Sequence, residues 1–215
     1  SADFGTQGDL PSHPELLEWL ARDFAGNDYD LRRTIRGLVL SDAYARDSQW
    51  PEGERPSPVY FAVARPRPLT PNQYGSALVF AAADPEHLAK PKTPEYLAKR
   101  LADLEKRGEN LAKRFDRPDD TFQVSVDEAL YFSNSDQVQN DLLGEGGKLL
   151  GRVLKTEGLA KRLEVAFLNT LSREPSPEET ETLNQYLAAR NEDEKGAWQQ
   201  VLWALMTSSE MRFNR

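Results

Sequence analysis

Residues 163–187, LEVAFLNTLSREPSPEETETLNQYL, contain the end of one predicted helix and the start of the next. In the first half, apolar residues recur at the spacing of one helix face. In the second half, Ser176 has the position of an N-cap, Pro177 that of the first helical residue and Glu179 that of the capping-box partner. The stretch therefore predicts two consecutive helices joined by a short polar turn.

Similar helix-start signals recur along the chain. Asp30, Thr70 and Thr93 each precede an apolar pattern of helical period. The stretch VYFAVA, residues 59–64, has the composition of a short strand, but its proline neighbours favour an extended linker equally. We therefore predict an all-α fold, an irregular bundle of about seven to nine helices with proline-rich connections.

The longest predicted helix begins after Thr93. Its apolar line consists of Leu97, Leu101, Leu104, Leu111 and Phe115. Gly108 stands where a further residue of that line would fall, and Asp103 precedes Arg107 by the four positions that favour an ion pair. We predict an amphipathic helix packed antiparallel on its neighbours, with an intermolecular coiled coil as the alternative.

Near the N-terminus, residues 11–24, PSHPELLEWLARDF, predict another helix start. Ser12 and Glu15 have capping-box spacing, and Pro14 suits the first turn. His13 is then expected to be a neutral, hydrogen-bonded anchor, since a charged imidazole is unfavourable at the positive end of a helix. With the next helix, this one is predicted to form a helical hairpin.

The domain prediction is a single helical domain over residues 1–215. Its possible sub-lobes are the hairpin at 8–48 and the main bundle at 70–215, joined by a proline-rich linker at 49–69. The hairpin stripes predicted to be buried are Leu16, Leu17, Leu20 and Phe24, followed by Leu31, Ile35, Leu38 and Val39. Because the chain starts without methionine, we expect it to be a processed product or an excised fragment.

Composition excludes several classes of function. The formal net charge of −8 argues against nucleic-acid binding, which needs a clustered basic surface. The absence of cysteine excludes disulfides, thiolate metal sites and covalently attached haem. No apolar run approaches the roughly 20 residues of a membrane span. We predict no cofactor, and the sequence does not indicate an oligomeric state.

Two motifs suggest chemistry but fit structural roles better. GEGGK, residues 144–148, lacks both the preceding strand and the following hydroxyl residue of a phosphate loop, which favours an interhelical turn. His87 has Asp84 and Glu86 nearby, as a metal site would require. A metal site usually needs three or four ligands, and His13 is the only other histidine in the sequence. The residues around His87 are therefore explained better as a helix start.

The remaining candidates are carboxylates, amides and tryptophans. The pairs Asp119–Asp120 and Glu178–Glu179 lie where helices break or begin, which favours turn and cap roles over acid–base catalysis. Residues 134–136 offer oxygen ligands but lack the spacing of a calcium loop. Three of the 4 tryptophans lie on helix stripes, which favours core positions over a sugar site. We therefore predict no catalytic residue and no metal site.

Five stretches together resemble the planctomycete-type C-terminal domain of unknown function. They are residues 11–24, 29–48 (YDLRRTIRGLVLSDAYARDS), 122–138 (FQVSVDEALYFSNSDQV), 163–187 and 201–215 (VLWALMTSSEMRFNR). The resemblance is specific at both ends of the chain and weaker at its centre. The family-motif positions it picks out are Ser12, His13, Pro14, Glu15, Trp19, Asn134, Arg173 and Glu210.

The resemblance implies a helical domain at the end of an exported, periplasmic or cell-surface bacterial protein. Its expected partners are other domains of the same polypeptide or envelope proteins, and it implies no catalytic residue. We expect a non-catalytic interaction or structural module. The alternatives are an accessory domain of, or a scattered-carboxylate site in, a secreted hydrolase or carbohydrate-processing protein, and a docking partner for a cytochrome-like domain. Convergence of His13, Trp19 and Asn134 in one deep pocket with two acids would favour an enzyme.

Overall fold

A computed structural model describes residues 8, 10–48, 50, 53–64, 66–86, 93–117 and 124–214, and it confirms the all-α fold. The helices within these residues are α1 (Pro14–Gly26), α2 (Leu31–Val39), α3 (Pro71–Ala82), α4 (Pro94–Ala112), α5 (Val126–Asn134), α6 (Leu149–Lys155), α7 (Leu159–Leu171), α8 (Pro177–Ala188), α9 (Glu194–Met206) and α10 (Ser209–Arg212). A π-helix, Val138–Leu142, follows α5. In the described part of the chain, no helix is long and apolar enough to span a bilayer.

Strand structure is limited to one short pairing in the described residues. Strand β1 (Arg67–Pro68) pairs antiparallel with β2 (Phe213–Asn214), which joins the C-terminal end to the start of the bundle. The stretch at 59–64 does not form the short strand that its composition allows. It begins within a 3₁₀ turn, Pro58–Tyr60, and continues as irregular chain.

Local capping chemistry explains most helix starts. The side chains of Asp30, Thr70, Thr93 and Ser176 each accept a hydrogen bond from the backbone N–H three residues later. Thr70 and Ser176 also take part in complete capping boxes. These starts confirm the sequence predictions, because a cap needs only neighbouring residues and no tertiary contact.

The predicted capping box at the start of α1 is wrong. The helix begins at Pro14, so His13 occupies the N-cap position, and its side chain makes no capping hydrogen bond. Ser12 lies one residue too early to cap, and its Oγ is 3.0 Å from His13 Nδ1 instead. Proline at the first helical position fixes this register, because its missing N–H needs no acceptor there.

The chain divides into two compact units, residues 1–66 and residues 67–214. The second unit contains the hydrophobic core. Its largest fully buried side chain among the described residues is Trp198 of α9, which belongs to the same apolar cluster as Phe167 of α7. Val201, Leu202 and Leu205 of α9 are buried in this core, and Trp203 is half-buried at its edge.

Helices α3 and α4 approach closely through two glycines. A Cβ atom on Gly75 would lie 2.4 Å from the carbonyl oxygen of Gly108, and one on Gly108 would lie 2.7 Å from Ser76 Cα. Gly75 lies near Ala112, whereas the other end of α3 lines a cavity with Leu104, so the helices run antiparallel. This contact explains the glycine in the apolar line of α4 and confirms antiparallel packing on a neighbour.

The first unit has no buried residue within its described part, so the predicted burial of its two stripes is wrong. Leu17 of α1 is 57% exposed and Ile35 of α2 is 50% exposed. Arg33 joins the two helices through paired hydrogen bonds to Asp23, at 2.5 and 3.2 Å. Helices of 13 and 9 residues supply no further layer to cover these apolar faces.

Candidate functional site

The N-terminal motif positions lie on an exposed helix end. Ser12, His13, Pro14, Glu15 and Trp19 are all exposed, Trp19 by 61%. Asn134, the last residue of α5, is exposed as well. Because these side chains face solvent, none of them lines a deep pocket.

The C-terminal motif positions do come together. Arg173, in the turn between α7 and α8, binds Glu210 of α10 with Nε and Nη2, at 2.9 and 2.8 Å. The same guanidinium binds both carboxylate oxygens of Glu179, at 2.8 and 2.7 Å. A further hydrogen bond goes to the Glu174 carbonyl. We call Arg173, Glu179 and Glu210 the arginine clamp.

Every hydrogen-bond donor of Arg173 is used inside the protein. A guanidinium has five N–H donors, and all five of Arg173 are used within the clamp and on Glu174. Hydrogen bonds from Arg173 hold the pKa of Glu179 at about 2, while the two carboxylates raise the pKa of Arg173. Glu179 also completes the capping box with Ser176. The clamp therefore fixes the α7–α8 turn to α10 and leaves no donor for a ligand.

A second ion pair is buried in the core and was not singled out as a site from the sequence. Arg212 of α10 binds Glu128 of α5 at 3.0 Å, and their side chains are only 6% and 4% exposed. The guanidinium also stacks over the Tyr74 ring, 3.9 Å from its centroid. Burial raises the pKa of Glu128, and Arg212 opposes that rise. The sequence signal for this burial was the position of Glu128, four residues before Phe132 and therefore on the same face of α5.

A cleft of about 360 Å³ lies against this pair in the second unit. Its lining is largely apolar and includes Val124, Phe132, Trp203 and Phe213. The Trp203 indole N–H donates to the Phe132 carbonyl at 3.0 Å, which fixes the indole as one wall. The charged residues of its lining are Glu128 and Arg212, which bind each other, so the cleft offers mainly apolar surface beside a paired carboxylate.

The other carboxylate and metal candidates do not form a site in the described chain. Glu179 belongs to the arginine clamp, whereas Glu178 is exposed at the start of α8. Among the described residues, no three histidine, cysteine or acidic side chains come together as metal ligands would. His87 and the pair Asp119–Asp120 lie outside the described residues.

The turn at GEGGK joins the π-helix to α6, and no strand precedes it. Gly147 has a positive φ of 66°, which suits a glycine, and its carbonyl accepts a hydrogen bond from Asp84 N–H at 3.4 Å. Lys148 follows directly and donates to the Asn140 carbonyl. The turn thus lacks the strand–loop–helix arrangement of nucleotide phosphate loops.

Comparison with known proteins gives one family. A family model described as "PSD1: Protein of unknown function (DUF1553)" matches residues 1–187. No curated protein matches the chain. No solved structure matches it either.

Proposed function

The chain belongs to the DUF1553 (PSD1) family of proteins of unknown function, and we propose that it is a non-catalytic helical interaction module. The observation that carries this proposal is the uncovered apolar surface of the N-terminal hairpin. We call this the hairpin surface, and it consists of Leu16, Leu17, Ile35, Leu38 and Val39, which are 54%, 57%, 50%, 46% and 47% exposed. Periodic apolar faces on both helices, with nothing buried, are typical of a segment that packs against a partner.

The energetics favour a partner that is tethered to the chain. Covering a half-exposed aliphatic side chain contributes about 1 kcal/mol, so the hairpin surface supplies about 5 kcal/mol before any costs. Association of separate molecules costs roughly 4–15 kcal/mol, and the hairpin surface exceeds only the lowest part of that range. Tethering removes most of that cost by raising the effective concentration of the partner. We therefore propose another domain of the same polypeptide as the partner.

The scattered-carboxylate alternative receives little support from the acids that are close together. Glu128, Glu179 and Glu210 are each held by an arginine, so none is placed as a free general acid or base. An accessory role beside a secreted hydrolase, or docking of a cytochrome-like domain, is a form of the same interdomain contact. The resemblance to planctomycete-type domains supports placing the polypeptide among exported or envelope-associated bacterial proteins.

Hydrogen exchange on the whole gene product tests this proposal. We expect amides of α2 to exchange rapidly in the 215-residue chain and slowly in the longer polypeptide, because the partner domain covers the helix. Ile35→Asp should abolish that protection. Arg32→Asp is the matched control, since Arg32 is an exposed residue on the same helix outside the hairpin surface. Equal, rapid exchange in both contexts would refute the proposal.

A further inference from the structure

Two adjoining cavities lie in the second unit between α3, α4, the π-helix and the GEGGK turn. The larger has a volume of about 240 Å³ and the smaller about 70 Å³. Val79, Arg107 and Asp141 line both cavities and therefore form the boundary between them. The pair is independent of the hairpin surface and of the arginine clamp.

The smaller cavity gathers positive charge. Arg100, Arg107 and Lys148 all line it, opposed by Asp141. Arg100 is partly neutralised by Asp103, 3.3 Å away. Lys148 is half-buried, and burial lowers its pKa, with Arg107 adding to the effect and Asp141 opposing it. A protein with a net charge of −8 thus keeps three cations around a cavity of this size.

Arg107 is the residue whose surroundings most require a ligand. The i, i+4 spacing predicts an ion pair with Asp103, but Asp103 binds Arg100 instead. Arg107 is half-buried, and within the described part of the chain it forms neither a hydrogen bond nor an ion pair. Partial burial of a cation without an acceptor is unfavourable, so the arrangement is explained best by an anion that binds there.

The backbone around the cavities is also unusual. The π-helix Val138–Leu142 places Asp141 and Leu142 on the cavity wall, and π-helical turns occur frequently at functional sites. Gly146 and Gly147 line the smaller cavity, and a Cβ on either would meet no atom within 4 Å. A ligand therefore has open access to the main chain at this turn.

The larger cavity differs in character from the smaller one. Its polar lining includes the amides of Asn110 and Gln137 and the phenol of Tyr131, which donates to Gln137 Oε1 at 3.2 Å. Leu111 and Leu142 contribute apolar surface. Amide groups with a small apolar surface suit hydroxyl groups on a compact carbon skeleton. A volume of about 240 Å³ equals about eight water molecules in the liquid, which matches a monosaccharide-sized group.

We propose that the two cavities form one binding site for a phosphorylated, hydroxylated small molecule of sugar-phosphate size. The phosphate lies in the smaller cavity, where Arg107 and Lys148 donate to its oxygens and Arg100 adds positive charge. The hydroxylated part lies in the larger cavity. Asp141 accepts a hydrogen bond from a sugar hydroxyl next to the phosphate. This contact explains why an acidic side chain lies beside the anion.

Calorimetric titration of the whole 215-residue chain tests the site, with thermal unfolding in parallel at constant ionic strength. The probes are glucose 6-phosphate, glucose, inorganic phosphate and sulfate. We expect glucose 6-phosphate to bind most tightly, inorganic phosphate at least tenfold more weakly, and glucose alone not to bind. Equal unfolding shifts with sulfate and glucose 6-phosphate would show general screening by anions and overturn the proposal, as would the absence of any binding.

Variants separate a binding role from a structural one. Arg107→Met should weaken glucose 6-phosphate binding at least tenfold while leaving the unfolding midpoint of the free chain unchanged or higher, because it removes a half-buried charge. Lys106→Met is the matched control, since it removes an exposed cation one position earlier on α4 and should leave binding unchanged. Asp141→Asn should reduce the preference for glucose 6-phosphate over inorganic phosphate. Equal losses in the Arg107 and Lys106 variants would refute the assignment.

Discussion

Neutralising Glu179 provides a direct test of the arginine clamp. The change Glu179→Gln keeps a hydrogen-bonding side chain for the capping box with Ser176 but removes the charge that faces Arg173. The pKa of Glu179 falls from an ordinary 4.5 to about 2 in the folded protein. At about 1.4 kcal/mol per pKa unit, the upper limit for its contribution to folding is about 3.4 kcal/mol. Both side chains are 35% exposed, so solvent screening reduces the expected loss to about 1–2 kcal/mol at pH 7.

The pH dependence has a definite sign. A carboxylate with a lowered pKa contributes stability above its unfolded-state pKa, and that contribution is lost as the pH falls through the folded-state value. The stability difference between the wild-type chain and Glu179→Gln should therefore be complete above about pH 5 and should shrink between about pH 4.5 and 2. Urea unfolding at a series of pH values measures it, with tryptophan fluorescence as the signal, to which the buried Trp198 of the same unit contributes.

Glu178→Gln is the matched control for this experiment. Glu178 is the neighbouring residue in the first turn of α8, and it is exposed. Its loss removes only a favourable interaction with the helix dipole, about 0.3–1 kcal/mol. Equal destabilisation by the two changes at pH 7 would show that the ion pairs of Arg173 add nothing. A difference that persisted undiminished at pH 2 would show that the effect is not electrostatic.

Two further changes test the core. Gly108→Ala should destabilise the second unit by about 1–3 kcal/mol in thermal unfolding, because its Cβ would lie 2.7 Å from Ser76 Cα. In Gly37→Ala the new Cβ would meet no atom within 4 Å, so this change should be neutral or stabilising. Glu128→Gln should cost about 3–5 kcal/mol in urea unfolding by leaving Arg212 without its buried carboxylate, and adding Arg212→Met should restore part of that loss. Additive losses in the double variant would contradict the coupling.

Helix starts were predictable from the sequence because the interactions that define them are local. Ser176 and Thr70 cap helices through N–H groups three residues away, which are visible in any single sequence. The wrong prediction of a capping box at Ser12 also has a local cause. The prediction counted the spacing to Glu15, whereas the proline at position 14 had already fixed the register with His13 as N-cap.

Burial and ion pairing were not predictable in the same way, because they depend on distant parts of the chain. Periodicity shows that Leu17 and Ile35 lie on apolar faces, but it does not show that anything covers those faces. Arg212 and Glu128 are 84 positions apart, and Arg173 and Glu210 are 37 apart, so no local pattern joins either pair. The resemblance nevertheless picked out Arg173 and Glu210 as separate motif positions, and the structure shows that they bind each other.

The arginines show how the second unit combines stability with a place for a ligand. Arg173 uses every donor on two carboxylates and a carbonyl, and Arg212 joins a buried glutamate and stacks on Tyr74. Both are structural, because their removal would leave acids unpaired. Arg107 differs, since its predicted acidic partner binds Arg100 and its side chain lines two cavities. Within the described residues Arg107 has no hydrogen bond and no ion pair, and it lies beside an open glycine turn, so ligand binding explains it better than stability does.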